Sequence, residues 1–183
     1  ESYRSNHGEY LFDDWDCRNL TDYFKEYVNE KYGYEDKEFF WSLSYSQGDG
    51  VRFEGKMYDD EILRVAKRLL DVEDFKLLDE FMSNNTVRGM IQGTSNHYYH
   101  YNTMRVELES DLSSLYDEEI EEIGIDSYNR LQDIIETLNE LIEEDIKDIS
   151  KELESIGYKE IEGNYEDEYI IELLVANERE FLE

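Results

Sequence analysis

A chain of 183 residues has the length of one ordinary domain, or of a domain with a helical arm, and leaves no room for a second independent one. Hydrophobic residues make up 39%, including 16 Tyr and 8 Phe, which is enough for a core even though 36% of the residues are charged. The 48 Asp and Glu against 18 Lys and Arg give a formal charge of -30; this repels nucleic acid and anionic membrane and attracts basic surfaces, so direct nucleic-acid binding is disfavoured. Cys17 is the sole cysteine, which rules out an internal disulfide and points to a cytoplasmic location. The sequence has no apolar run of membrane-spanning length and no signal-peptide pattern.

Residues 1–17 carry Tyr10, Leu11, Phe12 and Trp15 among acids and are expected to dock on the body. Asn19 or Thr21 can cap a helix from about Leu20 to Lys31, with Tyr23, Phe24, Tyr27 and Val28 on one face and Gly33 as its stop. From Glu38 the period becomes two: Phe39, Trp41, Leu43 and Tyr45 alternate with Phe40, Ser42 and Ser44, as in a half-buried strand. The turn Gln47-Gly48-Asp49-Gly50 and the alternation of Val51 and Phe53 complete a β-hairpin.

Asp59 or Asp60 opens a helix bearing Ile62, Leu63, Val65, Ala66, Leu69 and Leu70, and a second runs from Glu73 to Met82. Val87, Gly89 and Ile91 predict a third strand, Gly93 to Asn96 a turn, and His97 to Glu109 a fourth strand with Met104, Val106 and Leu108 facing the core. Beyond Asp111 the chain becomes helical and acidic. Between Tyr128 and Ile156 the positions Tyr128, Leu131, Ile135, Leu138, Ile142, Ile146, Ile149, Leu153 and Ile156 step by three and four, the mark of a long amphipathic helix. Its consecutive four-residue steps depart from a strict heptad and favour an intramolecular packing face over a coiled coil. Gly157 is expected to end this helix, and a terminal helix to begin at Glu166 to Glu172. The whole reads as a single α+β domain over 1–183. A body (1–110) holds an antiparallel sheet of about four strands in two hairpins, and an acidic helical region (111–183) packs on it or extends from it.

Catalytic chemistry finds little footing. His97 and His100, three apart on a strand, would point to opposite faces and could not share a metal. Neither Asp13, Asp14 and Asp16 nor Asp59, Asp60 and Glu61 has the pattern of a calcium loop, Ser46 has no base placed to activate it, and Cys17 among acids is a poor nucleophile. No metal, cofactor or catalytic residue is therefore expected.

The acids remain. From Asp126 to Glu154 one helix would carry ten of them, including Asp133, Glu136, Glu140, Glu143, Glu144 and Asp148, over roughly 43 Å at about 1.5 Å per residue. That is about one charge per 4 Å, too dilute to imitate a duplex with one per about 1.7 Å. Glu118, Glu119, Glu121 and Glu122 could add to the same side, while pairs such as Glu143 with Lys147 soften it. These acids, with Asp49 at the hairpin tip, are the candidate contact residues for a basic partner.

The stretch from Phe40 to Gly55 with its Ser46-Gln47-Gly48-Asp49-Gly50 turn, His97-Tyr98-Tyr99-His100 with Met104-Arg105-Val106-Glu107, and Ala176 to Phe181 together resemble a group of small acidic phage and prophage proteins, some labelled antitoxin-like. The chain is also similar in kind to phage anti-CRISPR proteins. That resemblance implies an inhibitor in the bacterial cytoplasm whose partner is a basic, nucleic-acid-binding defence protein such as a Cas nuclease. The alternative it implies is an antitoxin-like or regulatory module that neutralises a basic partner.

Overall fold

The computed structural model describes residues 14–44 and 48–163. Helix α1 (Asp14–Tyr32) leads into strands β1 (Glu38–Ser42) and β2 (Gly50–Met57). Helices α2 (Asp59–Leu69) and α3 (Val72–Met82) follow, then strands β3 (Val87–Gly93) and β4 (Met104–Ser110), the short helix α4 (Asp117–Ile123) and the 39-residue helix α5 (Ile125–Gly163). The strands make one antiparallel sheet in the order β1-β2-β3-β4, so the chain is an α+β fold with a long C-terminal helix.

Strand β2 is shared. Residues 50–54 pair with β1 and residues 55–57 with β3. The registers Phe39↔Phe53, Gly55↔Ile91 and Ile91↔Val106, with the two-residue period of a strand, collect Phe39, Phe53, Met57, Ile91 and Val106 on one face. Helix α5 lies across β2 and β4, burying Leu131, Ile134, Leu138, Ile142, Ile146, Ile149 and Leu153 in the same core as those strand residues. Each such side chain contributes about 1.5–3 kcal/mol on burial, so the three-and-four stripe is spent on the chain's own sheet. Within it, the buried Ser150 donates its hydroxyl to the Val51 carbonyl.

Local signals set the helix ends. Gly33, at φ +81°, donates its N–H to the carbonyls of Val28 and Asn29 and stops α1 where expected. The Asp71 carboxylate caps α3 by accepting from the N–H groups of Glu73 and Asp74 at 2.9 and 3.0 Å.

Several expectations need correction. Helix α1 begins at Asp14 rather than near Leu20; Thr21 is inside it, donating to the Cys17 carbonyl at 2.8 Å and accepting from Trp41 Nε1 at 3.0 Å. Strand β1 ends at Ser42, before Leu43 and Tyr45. Residues 97–103 are a loop with a 3-10 turn (Tyr101–Thr103) rather than the start of β4. That loop folds over β2, where Tyr99 N–H donates to the Gly48 carbonyl at 3.3 Å and Arg52 to the carbonyls of Ser95 and Tyr98. The proposed docking of residues 1–13 and the terminal helix from Glu166 lie outside the described residues.

Gly157 does not end α5. It is buried within the helix, and a Cβ there would come within 2.4 Å of Leu43 Cδ1 and 3.2 Å of Phe24 Cζ. A helical glycine, unfavourable by itself, is the residue that lets α5 close on α1 and the β1–β2 hairpin. Gly157→Ala is expected to destabilise by about 1–3 kcal/mol in urea melts through overpacking. Gly163→Ala, where nothing among the described residues lies within 4 Å, should be neutral or stabilising.

Candidate functional site

The acids of α5 fall into two groups. Glu152 is held on the α1 side: its carboxylate accepts from Tyr27 Oη at 2.6 Å, from Lys31 Nζ at 2.7 Å and from Tyr32 Oη. Lys31 first, then the two phenols, pull its pKa down to about 2. Asp145 receives both guanidinium nitrogens of Arg68, at 2.6 and 2.5 Å, and the Tyr34 hydroxyl at 2.7 Å. Burial, then the Asp145 charge, push the Tyr34 phenol well above its usual range, so it stays a donor.

Glu143 accepts from Lys147 at 2.6 Å and from Arg105 at 3.4 Å. Burial alone would raise its pKa, but Lys147 and Val106 together hold it below the usual carboxylate value. One turn earlier, Asn139 Oδ1 accepts from Leu108 N–H at 3.0 Å. Strand β4 is an outer strand of the sheet, so Asn139 satisfies a backbone donor that would otherwise stand open at its edge.

The second group faces water. Asp133, Glu136, Glu140 and Glu144 are exposed and have no hydrogen bond or salt bridge among the described residues; Asp148, also exposed, meets only Lys151, at 2.8 Å. Between Arg130 and Lys147 the helix carries no cation. From Asp133 to Glu144 the stripe runs roughly 17 Å at 1.5 Å per residue, one charge per about 5–6 Å on this side. On α4, Glu118 and Glu121 are exposed, whereas Glu119 turns back to accept from Tyr116 N–H at 2.8 Å. The side chain of Glu122 lies outside the described residues.

The candidate contact residues are therefore not one surface. Asp133, Glu136, Glu140, Glu144 and Asp148 share the outer side of α5, and Glu143 is tied to β4. Asp49 must be withdrawn as an exposed contact. It is 6% exposed and accepts from Ser42 Oγ at 2.9 Å, Ser44 N–H at 2.6 Å, Ser44 Oγ at 3.2 Å and Tyr158 Oη at 2.9 Å. A buried carboxylate must be paired in this way, and Asp49 fastens the hairpin to α5. Sequence reasoning also missed the buried pair Lys37–Glu61, where Lys37 Nζ reaches Glu61 at 2.6 Å and the carbonyls of Glu35 and Lys56 at 2.5 and 2.9 Å. Tyr27 and Lys31 stand four apart on α1, a spacing that hinted at a shared partner, but nothing in the sequence named Glu152.

His100 Nδ1 accepts from Asn102 N–H at 3.3 Å, and His97 donates its N–H to Ser95 Oγ at 3.2 Å, both within the loop. No group of three or more His, Cys, Asp or Glu arranged to hold a metal is found among the described residues. Nor is any described helix long and apolar enough to cross a membrane.

A family described as a domain of unknown function, DUF8835, matches residues 16–169, from within α1 to past the end of α5. The chain belongs to the DUF8835 family. No curated protein and no solved structure matches it. The DUF8835 match spans the whole sheet, α2 to α5 and all but the first two residues of α1, so the anchored and the exposed acids of α5 both fall within the family's domain.

Two measurements check the anchoring roles. Because Glu152 is depressed in the folded state, its contribution is present in full above its usual 4.5 and is lost as the pH falls toward about 2. The stability gap between wild type and Glu152→Gln, read from urea melts, should close over that window; a gap independent of pH would remove the anchoring role. Asp49→Ala leaves several donors without an acceptor and should cost about 1–3 kcal/mol, with binding to basic partners essentially unchanged once the variant is folded.

Proposed function

We propose that the DUF8835 domain is a non-catalytic acidic binding protein that covers a Lys- and Arg-lined, nucleic-acid-binding surface of a bacterial defence protein. A Cas nuclease, inhibited in the manner of anti-CRISPR proteins, is the foremost candidate. The observation that carries this reading is the sorting of acids on α5. Those beside the core are neutralised by Lys31, Arg68, Arg105 and Lys147, while Asp133, Glu136, Glu140 and Glu144 are left exposed on a stretch without cations.

Scattered solubilising charge would be expected to mix both signs. A one-signed stripe on a rigid helix instead supplies long-range attraction to surfaces built to hold phosphate, and accelerates encounter with them. Its spacing is wider than the roughly 1.7 Å per charge of a duplex, which favours occupation of a basic groove over replication of duplex geometry. The resemblance to small acidic phage proteins supports a defence protein as the target.

The test is capture from a phage-host lysate on the immobilised domain, identification by mass spectrometry, and challenge with salt and duplex DNA. The retained protein should bind nucleic acid, elute as salt rises and be displaced by DNA. The combined Asp133→Asn, Glu136→Gln, Glu140→Gln and Glu144→Gln variant should lose more than about tenfold in affinity, since charge-assisted contacts are worth about 1.5–3 kcal/mol each. Retention that is flat across salt would sink the electrostatic premise. Capture of a small basic protein indifferent to DNA would replace this reading with the antitoxin-like one.

A further inference from the structure

Where α5 passes the outer strand of the sheet, the two elements do not close on each other. A cleft of about 730 Å³ runs between β4 and α5, with Val106, Glu107 and Leu108 on the strand side and Ile135, Glu136 and Glu140 on the helix side. Leu112 and Asp133 complete it at one end. Its floor is partly apolar: Val106 and Leu112 are buried and Leu108 and Ile135 half-buried, beside the polar Asn139 and Gln132. Its rim carries Asp133, Glu136 and Glu140, and among the described residues no Lys or Arg lines it.

Among the described residues, the cations next to this cleft in sequence are committed elsewhere. Arg105 and Lys147 are committed to Glu143, and Arg130 to Asp74 at 2.6 Å on the α3 side. An acidic rim over an apolar floor selects an occupant carrying both cations and apolar side chains; a nucleic acid is repelled by sign, and a hydrophilic cation would leave the floor uncovered.

The edge of β4 also decides how such an occupant binds. The Leu108 N–H is taken by Asn139, so that main-chain donor is not open to an entering chain. Its side chains then carry the recognition, apolar ones on the floor and cationic ones against the rim.

We infer that the cleft between β4 and α5 is a docking groove for a segment of a partner protein in which Lys or Arg residues are interspersed with apolar ones. This rests on the basic-partner reading above and narrows it: recognition requires the apolar side chains as well as the charge.

The experiment uses the full chain and three labelled peptides followed by fluorescence anisotropy. One is Lys-rich with interspersed Leu, the second has every Leu replaced by Ser, and the third has every Lys replaced by Glu. The Leu-bearing basic peptide should bind at least about tenfold more tightly than its Ser counterpart, a factor equal to 1.4 kcal/mol, and the Glu peptide should not bind. The groove variant (Asp133→Asn, Glu136→Gln, Glu140→Gln) should lose about tenfold for the Leu-bearing peptide. A variant with the same change in net charge but outside the cleft (Glu118→Gln, Glu121→Gln, Asp126→Asn) should retain its affinity. Equal binding of the Leu and Ser peptides, or equal losses from the two variants, would overturn the groove while leaving salt-sensitive binding of basic chains, and so the broader reading, in place. Failure of both Lys peptides to bind at low salt would overturn the two together.

Discussion

The contact between the apolar stripe of α5 and the inner face of the sheet is what the rest of this structure depends on. A chain with a formal charge of -30 repels itself at every stage of compaction, and that cost must be offset by burial. The offset comes from a row of Leu and Ile at three- and four-residue steps set against Val51, Phe53, Met57 and Ile91. Because the stripe belongs to one of the most acidic segments of the chain, the same docking that builds the core also decides where the carboxylates go. Those on the flanks of the stripe meet α1, α2 and β4 and find cations or hydroxyls there. Those opposite the stripe are left in water with their charge intact.

Scarce cations make this division sharper. Lys31, Arg68, Arg105 and Lys147 each hold an acid of α5, Arg130 of α5 holds Asp74 of α3, and Lys37 is buried against Glu61. These positive charges are used inside the fold as fasteners. Their neutralising effect is concentrated where elements meet, so the outward faces are more uniformly negative than the composition alone would suggest. Electrostatic attraction to a basic surface is then a property of the folded arrangement as much as of the net charge.

Much of the architecture was legible because it rests on local rules. The period of two through Phe39 and Trp41, the glycine turn before Val51, the acids at Asp59 and the long stripe after Tyr128 each reflect chain geometry within a few residues. Three of the misreadings involve partners far away in sequence. Residues 97–103 have strand-like composition, but their polar groups go to Gly48 and Arg52 instead of a neighbouring strand. Gly157 has the appearance of a helix stop until Leu43 and Phe24 are seen to need its missing side chain. Asp49 sits in a turn sequence that implies exposure, and only Tyr158, on α5, shows that the turn is covered. The exposed half of the candidate site could be read from the run of acids, whereas its division into anchored and free carboxylates could not, since Glu143 and Glu144 differ only in which way they face.

The capping of β4 by Asn139 has a consequence for how the chain is made. Synthesis proceeds from the N-terminus, so all four strands emerge before the residues that close the sheet's outer edge. For that interval the nascent domain presents the Leu108 backbone donor unpaired beside uncovered core side chains, the combination that templates wrong pairing between chains. The arrival of α5 ends this exposure in one step, sealing the edge and covering the core together. A chain interrupted before residue 139 would have neither protection, and the vectorial order of this fold therefore places its period of greatest vulnerability between the emergence of β4 and that of α5.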